Sequence, residues 1–217
     1  MADTQGHSVE WLEDYGRERL SPSFFMRDFL FSEVASVFGV CNAPEHPDVA
    51  LQVGRQLCTT LLEPLNATFG RLTIRSGYRS PTVNDLCFRK GYNCSSNEEN
   101  FAGHIWDIPH PARGLGGTVT VVVPWFADRY AQGADWRAMA YWVHNHLPYA
   151  GMEFFPKLCA FNISWGERPL REIVSFIEPH TGLLLQGDPP HPEFEALYAD
   201  FPPLRLTQVE TKRFAAQ

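Results

Sequence analysis

The stretch Leu61–Asn84, LLEPLNATFGRLTIRSGYRSPTVN, decides how the chain is read. Its first residues close a helix. Val49, Val53, Leu57, Leu61, Leu62 and Leu65 recur at the spacing of one buried helical stripe. That helix opens at HPDVA, where Pro47 suits the first turn and Asp48 complements the helix dipole. Gly70 then marks a turn, Leu72–Ile74 reads as a short strand, and Gly77 and Pro81 break the chain into a loop.

Upstream, residues 1–20 read as a polar, acidic, loosely attached lead-in. From Ser21 the pattern turns helical, with start signals at Ser21-Pro22 and Ser32 and a stop at Gly39. Downstream, residues 85–117 read as irregular. TVTVVV (118–123) is β-branched throughout and is the strongest strand signal in the chain. A helix follows over 134–147, with Trp136, Met139, Ala140, Val143 and Leu147 on one face. Further strands are expected at 151–155, 158–165 and 171–178. The order, helices first and then strands interrupted by one helix, defines an α+β fold with a mainly antiparallel sheet and flanking helices. The organisation expected is a lead-in (1–20), one domain (21–178) and a Pro-rich C-terminal arm (179–217).

A length of 217 residues suits one domain with a real core, and 44% hydrophobic with 20% charged residues is ordinary for a globular chain. The net charge of −7, with no Lys/Arg run longer than two, argues against nucleic-acid and anionic-membrane partners. No apolar run approaches the length of a membrane span, and the N-terminus lacks an apolar signal core, so a cytoplasmic protein is expected. The five Cys form an odd set with no C-x-x-C pair, which is read as buried free thiols in a reducing compartment rather than a disulfide framework.

The densest chemistry lies in NEENFAGHIWDIPHP (97–111), which places Glu98, Glu99, His104, Asp107 and His110 close together. His104, Asp107 and His110 would share a flank on a helix. Gly103 and Pro109 bracket the segment, however, and in extended chain residues three apart face opposite ways. His104 is read either as an imidazole that orients its loop or as a proton-transfer group. Glu153, on a strand among aromatics, is either outward-facing or a cleft carboxylate. His144 and His146 are two apart and share no helical face, and a solvated position is expected for both.

Three segments resemble the zinc D-Ala-D-Ala carboxypeptidase-like peptidases, a family that includes phage cell-wall endopeptidases. They are FFMRDFLFSEVA, LLEPLNATFGRLTIRSGYRSPTVN and FAGHIWDI, with AFNISW as a late strand, and they lie between Phe24 and Trp165. The resemblance implies a hedgehog/D-Ala-D-Ala-peptidase-like fold, with zinc held by a His, an Asp seven residues later and a second His, and a carboxylate acting as base. The matching positions here are Asn100, Asp107, Asn162 and Cys159, so Asp107 alone keeps its identity as a metal ligand. Amides are weak neutral donors suited to Ca²⁺ rather than Zn²⁺. The resemblance further implies that Arg79, with Tyr78, contacts substrate and orients its carboxylate, a task suited to a planar guanidinium.

The reading that follows is an altered, zinc-free cleft that binds a small peptide or carboxylate ligand, with Arg79, Tyr78, Asn100 and Asn162 as binding residues. One alternative is an active peptidase or amidase with a rearranged centre of His104, Asp107 and Glu153. Another is a phage or mobile-element structural or interaction protein.

Overall fold

The computed structural model describes residues 7–206. Helix α1 (Val9–Gly16) is capped by Ser8, whose hydroxyl accepts from the Trp11 amide. Tyr15 and Leu20 join the core, and the Tyr15 hydroxyl donates to the Pro47 carbonyl at 3.1 Å. Helices α2 (Arg27–Leu30) and α3 (Glu33–Phe38) follow. Ser32 caps α3, and Gly39, at φ 64°, ends it in the left-handed region. Ser21-Pro22 opens no helix. The buried Glu63 carboxylate accepts from the Ser21 hydroxyl and from both the amide and the hydroxyl of Ser23, which holds that segment bent.

Helix α4 (Pro47–Leu57) continues through a π-helical segment (Cys58–Leu62) into α5 (Glu63–Phe69), and Val53, Leu57, Leu61, Leu62 and Leu65 are all fully buried. Strand β1 (Thr73–Ser76) follows Gly70. The segment after it departs from expectation. Pro81 starts helix α6 (Pro81–Arg89) rather than breaking the chain, because Ser80 accepts from the Val83 amide and Pro tolerates the first helical position. A short helix α7 (Asn97–Asn100) is capped by Ser96. Strand β2 (Gly116–Val122) leads to α8 (Pro124–Ala131), which the sequence reading passed over, and then to α9 (Arg137–His146). The remaining strands are β3 (Gly151–Phe154), β4 (Phe161–Gly166), β5 (Glu172–Ser175) and β6 (Gly182–Gln186).

The sheet is mixed, not purely antiparallel. Its order is β1-β2-β4-β3-β5-β6, and β3 pairs with β5 in parallel. The two faces differ by strand alternation. Val119, Val121, Phe161, Ile163, Met152, Phe154 and Ile173 enter the core beneath the helices. Thr118, Thr120, Asn162, Ser164, Glu153 and Glu172 point the other way and make a polar face.

The C-terminal arm contributes β6 to the sheet and then packs across α9. Phe194 stacks on Tyr141 at 3.7 Å, and Phe201 meets Trp125 at 5.1 Å. Residues 1–6 of the lead-in and 207–217 of the arm lie outside the described residues.

Two expectations are corrected in the helical layer. His144 is fully buried, not solvated. Its Nδ1 lies 2.7 Å from the Tyr149 hydroxyl, because α9 enters the core on one side and the arm covers it on the other. His146 is half-buried, with Nδ1 at 2.8 Å from the Trp142 carbonyl. The cysteines are not all free thiols. Cys87, in the last turn of α6, is bonded to Cys94 in the loop that folds back beside it, while Cys41, Cys58 and Cys159 are free. No helix among the described residues is long and apolar enough to cross a membrane.

Candidate functional site

The polar face of the sheet floors a cleft of about 640 Å³. Hydrogen bonds across three strands fix its centre. Thr120 Oγ1 donates to Asn162 Oδ1 at 2.6 Å, and Asn162 Nδ2 donates to Glu153 Oε2 at 2.7 Å. One step along the strands, Thr118 and Ser164 share a 2.8 Å hydroxyl pair. Phe155 and Phe176, stacked at 5.4 Å, border the β3–β5 end, and Arg113 and Arg168 border the end near Gly116 and Gly166.

The wall at the β1 end is built from SGYRSP and the 100–104 segment, laced together. The Arg79 amide donates to the His104 carbonyl at 2.8 Å. His104 Nδ1 donates to the Gly77 carbonyl at 2.7 Å, and the His104 amide donates to Asn100 Oδ1 at 2.9 Å. Asn100 Nδ2 in turn donates to Asn84 Oδ1 at 2.6 Å. Gly77 is required here, since a Cβ at that position would lie 2.7 Å from the Phe29 backbone.

Arg79 lines this wall. Its guanidinium donates to Ser76 Oγ and to Cys94 Sγ, each at 3.1 Å, and has no carboxylate partner among the described residues. Burial lowers its pKa to about 10, with Glu33 opposing the shift, so the group remains cationic at neutral pH. His104 also lines the cleft. Burial, reinforced by the charge of Arg79, lowers its pKa to about 3, and the imidazole is neutral.

Asp107 is placed elsewhere. Its Oδ2 accepts from the Glu45 and His46 amides at 2.8 and 3.0 Å, next to the first turn of α4. Its Oδ1 is buried without a hydrogen-bond partner, as is the hydroxyl of Tyr78. Burial, and then the nearby Asp107 carboxylate, raise the pKa of that phenol far above its usual value, and it stays protonated. Tyr78 packs edge-on against Trp106 in the core and does not line the cleft. Cys159 lies on the core side of the sheet, where burial and then Asp135 push its thiol up to about 12, out of range for a base. His110 accepts from the Ala112 amide in its own turn.

The structure thus brings Arg79, Asn100, His104, Asn162 and Glu153 to one cleft and leaves Asp107, Tyr78 and Cys159 out of it. These residues do not fit zinc. Asn100 and Asn162, at the positions where the resembling family carries His, are engaged with protein neighbours, Asp107 serves backbone amides, and no group of three His, Cys, Asp or Glu could hold a metal among the described residues. Sequence reading missed the cleft floor at Thr118, Thr120 and Ser164, although alternate Thr in TVTVVV is the signal of a strand with one polar face. Comparisons of the chain with protein-family models, with curated proteins and with solved structures found no match.

Proposed function

We propose that this chain is a binding protein for a small ligand bearing a carboxylate, such as the C-terminal unit of a short peptide. In this reading it has a hedgehog/D-Ala-D-Ala-peptidase-like fold whose zinc chemistry has been given up. The observation that carries the proposal is Arg79, a guanidinium held in the cleft wall by two neutral acceptors with no carboxylate partner among the described residues. A cation removed from bulk water gains most from an anion that offers planar, two-point hydrogen bonding. The floor of hydroxyls and amides supplies neutral donors and acceptors for the rest of a peptide-like ligand.

Hydrolysis through His104 and Asp107 draws no support from their placement, because only His104 reaches the cleft. A base whose pKa is about 3 is also poorly matched to abstracting a proton at neutral pH.

The test is an NMR titration with N-acetylglycine and N-acetylglycinamide. N-acetylglycine should shift resonances of the Arg79 wall and the β2–β4 floor, and the amide should not. Arg79→Met should abolish the difference, and Arg79→Lys should restore part of it. Equal binding of acid and amide to the unaltered protein would overturn the proposal.

A further inference from the structure

His104 is held in one protonation pattern by geometry. A carbonyl oxygen only accepts, so the 2.7 Å contact between Nδ1 and Gly77 O requires the proton on Nδ1. In the neutral ring Nε2 is then a bare acceptor. The side chain is more than nine-tenths buried and lines the cleft, and Nε2 has no partner among the described residues. Rotation of the ring would break the Gly77 bond, and the backbone of His104 is fixed by Arg79 on one side and Asn100 on the other. The acceptor therefore cannot turn to find a donor within the protein. Nε2 is not among the buried atoms that lack a partner, so it is reached from the cleft. A ligand that fills the cleft without offering a donor strips this acceptor of water and leaves it unmatched, which is costly.

We infer that His104 Nε2 is a specificity-determining acceptor, selecting ligands that carry an N–H or O–H donor beside the carboxylate held by Arg79. This rests on the carboxylate reading of the Arg79 wall. The ligand class narrows to N-acyl amino acids, C-terminal peptide units and 2-hydroxy acids, and plain carboxylates and esters are disfavoured. Protonation of the ring would turn this acceptor into a donor, and burial together with Arg79 opposes that change throughout the neutral range.

Two achiral probes, N-acetylglycine and acetoxyacetate, isolate the donor, since they differ only in N–H against O. In NMR titrations of the unaltered protein at neutral pH, N-acetylglycine should bind roughly tenfold more tightly, the scale of one matched hydrogen bond against an unpaired acceptor. In protein carrying ¹⁵N-labelled histidine, the His104 Nε2 resonance should move with N-acetylglycine and stay in place with acetoxyacetate. His104→Phe should bring the two affinities together. Equal affinities in the unaltered protein, or an Nε2 resonance unmoved by N-acetylglycine, would overturn the inference while leaving the carboxylate reading in place. A preference that persists in His104→Phe would do the same. Failure of both probes to bind would overturn the carboxylate reading and this inference with it. The resonance readout needs no variant, so it stands even where His104→Phe does not fold.

Discussion

His144 Nδ1 and the Tyr149 hydroxyl lie 2.7 Å apart inside the core, under the C-terminal arm. Burial, then the charges of Arg171 and His191, lower the His144 pKa to about 4, and Asp188 opposes them. His104 is lowered further, to about 3. The folded state therefore refuses protons that the unfolded chain accepts below about 6.5. Stability is intact above that pH and falls as the pH drops toward 4. Between pH 7 and 4.5 the loss from His144 alone is expected to be about 2 kcal/mol, read from urea unfolding. His144→Gln keeps a hydrogen-bonding group facing Tyr149 but does not titrate, so it should flatten the profile by that amount. An unchanged slope in this variant would show that His144 is not the titrating group.

Asp107 is expected to matter for folding rather than for binding. Asp107→Ala leaves the Glu45 and His46 amides without their acceptor, beside the opening turn of α4. The expected cost is about 1 to 2 kcal/mol, the scale of part-buried backbone donors losing a carboxylate cap. N-acetylglycine affinity should be unchanged, since Asp107 does not line the cleft. Lost affinity at undiminished stability would instead place Asp107 in the binding machinery.

Legibility in the sequence followed the range of the interactions involved. The long stripe from the half-buried Val49 to the buried Leu65, the Ser32 cap, the Gly39 stop and the β-branched β2 are local features, and the chain shows them openly. Pro81 misled because the same residue both breaks loops and starts helices, and only Ser80 ahead of it decides between the two. His144 misled because spacing tells which residues share a face of α9, not that the arm folds back to cover that helix. The His104–Asp107 segment is a series of turns rather than a strand, with Ala102 N donating to the carbonyls of both Ile105 and Ile108. The opposed placement of the two side chains therefore has a different cause from strand alternation. The disulfide depends on the loop after α6 folding back on the helix, a closure that no C-x-x-C spacing announces.

Gly77, whose carbonyl holds His104 behind the cleft wall, and Gly151, which lines the cleft, should respond oppositely to a methyl group. Gly77→Ala forces a Cβ to 2.7 Å from the Phe29 backbone, which cannot yield as a side-chain tip can. A loss of about 3 kcal/mol is expected, with weakened N-acetylglycine binding as the Arg79 loop shifts. Gly151→Ala meets only the Glu172 side chain, at 3.9 Å, and should be near neutral in stability. Thermal unfolding of the two variants side by side checks both outcomes. Equal destabilisation would mean that the Gly77–Phe29 approach is not a constraint.

The Cys87–Cys94 bridge couples the loop at 91–96 to the Arg79 wall, because Cys94 Sγ accepts from the guanidinium at 3.1 Å. Closing a loop with a sequence separation of 7 removes little chain entropy, so cutting it should cost about 2 kcal/mol. The effect on binding has a separate origin. Without the bridge, Cys94 is no longer held against Arg79, and the guanidinium must be immobilised anew by the ligand, at a cost of about 1 kcal/mol for one long side chain. N-acetylglycine affinity should then fall several-fold on reduction, and a Cys87→Ser/Cys94→Ser variant should match the reduced protein. Titrations at a urea-free temperature well below unfolding separate this effect from global instability. Affinity that is indifferent to reduction would show that Ser76, the other neutral acceptor of Arg79, suffices to hold the guanidinium in place.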